Sequence, residues 1–149
     1  MLPWRRHALW TCLAALYAAF IFLLSEIPGS RLSQYGFRHT LANLCHVPLY
    51  GGFSVFVLMA FSGTLAAVRR GPWPTLYTIA AVMTYAITDE FHQRFVPGRE
   101  SSSGDLALDF LGASLALCAV HLAARRGPGA GKPAVPAPGR AAASVRKGP

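Results

Sequence analysis

Charge is the scarcest commodity in this chain. Only 13% of its 149 residues are charged and only six are acidic, where soluble domains carry about a quarter of their residues charged. With the apolar residues gathered in blocks, that deficit excludes an ordinary soluble globule. Cysteine is nearly absent. Cys12, Cys45 and Cys118 stand singly within apolar stretches, without the pairing of a disulfide framework or the spacing of a zinc site, and no metal or cofactor is assigned. No His-Glu-x-x-His pattern and no activated-serine motif occurs. The net charge of +8 would suit a nucleic acid if the bases shared a face. They fall instead as pairs flanking apolar segments (Arg5-Arg6, Arg69-Arg70, Arg125-Arg126) and in the tail. That is the pattern of topology and headgroup contacts, and no nucleic-acid partner is expected.

What is present is four apolar segments, about 8–24, 41–63, 73–91 and 105–124, each approaching the ~20 residues a spanning helix needs. The first resembles a signal peptide, but Leu-Ser-Glu-Ile-Pro follows it instead of a small-x-small site and three more segments come after, so an uncleaved helix is expected. With the N-terminus inside, ten bases lie on the cytoplasmic side: Arg5, Arg6, Arg69, Arg70, Arg125, Arg126, Lys132, Arg140, Arg146 and Lys147. Four lie opposite: Arg31, Arg38, Arg94 and Arg99. The bias predicts an all-α, integral-membrane four-helix bundle over 1–126 with both termini cytoplasmic. Residues 127–149 are Pro, Gly, Ala and scattered bases, which reads as a disordered basic tail drawn to anionic lipid.

That orientation brings the polar residues to one level, near the outer headgroups. Five of the six acids (Asp89, Glu90, Glu100, Asp105, Asp109) fall in one stretch. An ionised side chain at mid-bilayer costs roughly 2.5–3.5 kcal/mol, so such a group marks a candidate site. On the second segment His39, Asn43, His46 and Tyr50 follow steps of four, three and four and share a face. Pro48 would free a carbonyl there unless the helix begins only after it. On the third, Tyr85, Asp89 and His92 share a face, Gln93 is one turn past Asp89, and Glu90 is rotated by about a quarter turn. On the fourth, Asp105, Asp109, Gly112 and Ala116 form a line whose small residues suit close contact within one chain or between copies in a homo-oligomer. Asp105 is also placed to cap that helix. The loop between carries a Pro97-Gly98 turn and Arg99, a forked donor for carboxylate or phosphate.

The run Asp89-Glu90-Phe91-His92-Gln93, then Phe95-Val96-Pro97-Gly98-Arg99, then Ser102, Asp105, Asp109 and Gly112, resembles the second signature of the VanZ-like family of small bacterial membrane proteins. His46 with Tyr50-Gly51 resembles its first. The chain departs from the family in having Ala42-Asn43 where an Asp-Lys pair is frequent, and Asp109 where asparagine is usual. The resemblance implies a multi-pass protein of the bacterial cytoplasmic membrane with a cell-envelope role, since the family's name comes from a protein associated with low-level teicoplanin resistance. It implies no reaction.

Three readings of the cluster stay open. His46, Tyr50, Asp89, Glu90, His92, Gln93, Arg99, Ser102, Asp105 and Asp109 are candidate ligand-binding residues for the head of an amphiphile, a lipoglycopeptide or an envelope lipid, with membrane lipids as surroundings. The same groups could be a structural network tying helix ends together. Histidines and carboxylates are also the residue types of a metal- or acid–base-dependent enzyme acting on a lipid headgroup, although no catalytic residue is named. His7 and His121 are expected at headgroups or water, and Glu26 at a helix exit.

Overall fold

The computed structural model describes residues 3–34, 44–99 and 101–126. His39, Asn43, Glu100, the start of the second segment at Leu41 and the tail from Gly127 lie outside the described residues. Among the described residues the chain is helical without strands: α1 Pro3–Ser25, α2 Gly29–Gln34, α3 His46–Ser62, α4 Leu65–Val68, α5 Trp73–Gln93 and α6 Ser103–Arg126. The four long helices correspond to the four apolar segments, and the short α2 and α4 are additions that no hydrophobic period announces.

Pro48 falls in the first turn of α3, where its missing N–H leaves no intrahelical bond unmade. The helix ends at Gly63, whose φ of 70° is the left-handed conformation of a helix terminator. Its N–H donates to the Met59 carbonyl at 2.7 Å. His7 of α1 packs on the bare Cα of Gly63 and its Nδ1 lies 2.8 Å from the Ala60 carbonyl oxygen. His7 therefore closes the end of α3, a role beyond the headgroup contact expected of it. His121 likewise meets Thr75 Oγ1, at 2.8 Å.

Helix α3 is central, packing on α6, α1 and α5, and α5 also packs on α6. The main core gathers Ile21, Tyr50, Phe53, Val57, Val82, Ala86 and Ala113. Tyr17 of α1 lies against Phe53 and Phe56. A smaller cluster of Leu58, Val68 and Leu117 seats α4. Large apolar side chains also cover the outside, among them Leu16, Leu23, Ile87, Phe91, Phe110 and Leu115. Helices Trp4–Ser25 and Ser103–Arg126 are long and apolar enough to cross a bilayer, and only 17% and 22% of their apolar windows are buried. That low burial separates them from the core helices of a soluble protein and gives the fold an outer surface suited to lipid. Helix α3, apolar but 17 residues long, is shorter.

Helices α3 and α6 cross closely, backbone against backbone. A Cβ on Gly112 would collide with the Val47 carbonyl, and Gly51 sits against Gly112 in turn, with Ala116 beside it. The small-residue line of α6 is thus used within the chain. The ends of α1 and α5 and the starts of α3 and α6 come together, while Arg5, Arg6, Arg69, Arg70, Arg125 and Arg126 belong to the opposite end.

Candidate functional site

Asp89, one turn before the end of α5, is 4% exposed. Its Oδ2 accepts from Ser25 of α1 at 2.8 Å, Gln93 Nε2 at 3.0 Å and the Tyr50 hydroxyl of α3 at 3.3 Å. One carboxylate oxygen thereby gathers three helices. Tyr50 is itself 1% exposed, and its phenol ring runs parallel to the His46 ring one turn earlier.

His46 Nδ1 lies 2.8 Å from Asp109 Oδ1, and Asp109 is fully buried. The register comes from the glycine crossing: with Gly112 against Val47, the residue one turn earlier on α6 faces the first residue of α3. Glu90, the next residue on α5, lies about a quarter turn further around the helix. Its Oε2 accepts from the Ser102 N–H at 3.1 Å, so it caps α6 from outside. Ser102 Oγ accepts from the Asp105 N–H at 3.2 Å and donates to Asp105 Oδ2 at 3.1 Å. The cap of α6 is therefore Ser102, and Asp105 braces it from within the first turn; the capping expected of Asp105 falls to its neighbour because the helix begins two residues earlier, at Ser103.

Arg99 follows the Gly98 turn, where φ is 72°. The Gly98 carbonyl abuts the bare Cα of Gly29, and the Gly29 N–H donates to Pro97 at 3.1 Å. This seating of loop on α2 directs Arg99 toward the end of α1. There Nη2 donates to the Leu24 carbonyl at 2.8 Å and Nε to Ile27 at 3.2 Å. Burial pulls its pKa below the ordinary arginine value, and Asp89, Glu90 and Asp105 push it back. Arg99 is thus first a cation at a helix C-terminus, satisfying its last carbonyls.

A cavity of about 530 Å³ opens between α1, α3 and the end of α5. Tyr17, Ile21, Leu24, Ile27, Pro48 and Leu49 form apolar walls, while Ser25, His46, Tyr50, Asp89, Gln93 and Arg99 supply polar groups. Such a volume is in the range of small-molecule sites, about 300–1,000 Å³.

Of the candidate residues, His46, Tyr50, Asp89, Gln93 and Arg99 line the cavity. Glu90, Ser102, Asp105 and Asp109 do not line it. His92 stands apart from both sets. Its Nε2 is 2.6 Å from Glu26 Oε1, with side chains 32% and 47% exposed, and its ring packs on Phe22. One turn from Asp89 was enough to put His92 on the same stripe, but the stripe splits where α1 ends, and His92 falls outside. Glu26 is accordingly its partner as well as the residue after α1. Sequence reasoning missed Ser25 and the α1 wall; Ser25 was the available signal, a hydroxyl closing the apolar run of α1.

A model of the VanZ/LLP1 family matches residues 9–124. No curated protein and no solved structure gives a match.

Proposed function

The chain belongs to the VanZ/LLP1 family, and on that premise we propose that it is a multi-pass cell-envelope membrane protein whose polar cavity binds the head of an amphiphile at the outer leaflet. The observation that carries this is the cavity's composition. Hydroxyl, amide, carboxylate and guanidinium groups share its lining with six largely apolar side chains. A water-soluble ligand would gain little from such walls, and a wholly apolar one would leave Asp89 Oδ1, which has no partner among the described residues, unmatched. A molecule with both parts satisfies both. The positive-inside bias supports placing this end outside, since the arginine pairs gather at the other. Envelope lipids and lipoglycopeptides have the required chemistry, and a contribution to teicoplanin-type resistance follows if such a molecule is sequestered.

The test is teicoplanin susceptibility of a glycopeptide-sensitive bacterial host expressing wild type, Leu49→Trp or Asp89→Asn at equal membrane levels. Leu49→Trp fills the cavity while leaving every polar partner in place. Protection by wild type and its loss in Leu49→Trp is the expected result. Equal protection by wild type and Leu49→Trp would rule out the cavity as the binding place. It would favour the second reading, in which Asp89 and its three donors only lock helix ends together.

A further inference from the structure

Four buried carboxylates converge at the ends of α5 and α6, and each keeps one oxygen without a hydrogen-bond partner among the described residues: Asp89 Oδ1, Glu90 Oε1, Asp105 Oδ1 and Asp109 Oδ2. All four side chains belong to residues at most 4% exposed. The positive groups near them are Arg99, whose donors are directed at the α1 carbonyls, and His46 when protonated. Among the described residues two cations at most face four acids. Buried carboxylates in native proteins are paired, protonated or bound to a cation, because desolvating an unpaired charge costs far more than a helix crossing returns.

Three of the donor groups are already assembled. A ring nitrogen of His46 and one carboxylate oxygen each from Glu90 and Asp109 all lie within 4.8 Å of one another. They come from α3, α5 and α6, so the fold and not one flexible segment sets their separation. Ligands around an ion bound at about 2.0–2.2 Å sit no farther than ~4.4 Å apart, and a small side-chain adjustment closes the difference. We propose that His46, Glu90 and Asp109 bind a divalent cation. One imidazole among carboxylates favours a first-row transition ion such as Zn²⁺ or Mn²⁺ over Ca²⁺ or Mg²⁺, which prefer oxygen alone. His46 also lines the cavity, which puts the ion at the cavity's edge.

The inference is independent of amphiphile binding, and its test uses no lipid. Full-length protein is purified in detergent, stripped with chelator, incubated with Zn²⁺ or with Mn²⁺, desalted, and assayed for bound metal by mass spectrometry. Wild type should retain one ion per chain. His46→Gln, Glu90→Gln and Asp109→Asn, which keep shape while weakening or removing a donor, should each lose at least tenfold in affinity. Glu26→Gln, an acid on the far side of the cluster, should bind as wild type does. Where a variant fails to elute as folded protein, wild type decides alone: its unfolding temperature should rise with added Zn²⁺ or Mn²⁺, as binding to the native state requires. Metal no higher than a detergent blank in wild type, or equal binding by wild type and all three site variants, would overturn the site and leave shared protons to neutralise the carboxylates.

Discussion

Gly112 of α6 lies against the carbonyl of Val47 in α3, with no room for a Cβ between them. This single contact sets the depth at which Asp109 meets His46 at 2.8 Å, so a backbone requirement at the buried crossing of α3 and α6 governs the polar cluster one turn away. Gly112→Ala should therefore destabilise the protein although alanine is the better helix former by roughly 1 kcal/mol. Overpacking typically costs about 1–3 kcal/mol, and the offending neighbour here is backbone, which yields less than a side chain. Unfolding temperature in detergent is the measurement, and an unchanged or higher value would contradict the crossing.

Asp89 joins α1, α3 and α5 through one oxygen. Asp89→Ala would leave the Ser25, Tyr50 and Gln93 donors buried without their acceptor, at a cost of about 1–3 kcal/mol for each group that finds no other partner. Asp89→Asn retains an acceptor oxygen and should be the milder change. Thermal unfolding of the two variants side by side distinguishes them, and equal stability would mean that the carboxylate does not hold the helix ends.

His92→Ala breaks a pair with Glu26 that is largely open to its surroundings. Exposed pairs contribute about 0–1 kcal/mol, so stability should barely move. Teicoplanin protection and metal content should stay at the wild-type level. Loss of protection in His92→Ala at equal expression would show that the ligand reaches the outer face of α5, beyond the cavity.

The charge bias predicts that the cluster end faces outward. Ser103 is exposed at the start of α6 and, unlike Ser102, has no capping bond to lose. In a background free of Cys12, Cys45 and Cys118, Ser103→Cys should react with an impermeant thiol reagent in intact cells. Reaction only after lysis would invert the topology and move the cavity to the cytoplasmic side.

The cluster was legible in part because helical steps of three and four turn sequence spacing into shared faces. His46 and Tyr50 stack as their spacing requires, and Gln93 meets Asp89 from one turn away. Spacing fails where the neighbour changes. His92 keeps its place on the face of Asp89, yet α1 ends opposite, and the two residues meet different partners: Ser25 for one, Glu26 for the other. Arg99 shows the same limit from a loop. Its chemistry as a forked donor was readable, but the carbonyls it would find depended on how Gly98 seats against Gly29.

The sequence by itself determined the all-helical character, the four apolar segments and the family, because hydrophobic block length and a local polar signature are properties of the chain read in order. It also concentrated the acids in one stretch. Only the tertiary structure decided which oxygen of each acid is satisfied and which is not, that Ser102 and not Asp105 caps α6, and that a cavity lies between α1 and α3. Those outcomes depend on distances between residues far apart in the chain. Such distances are set by backbone-to-backbone contacts at Gly112 and Gly29 that no spacing rule encodes.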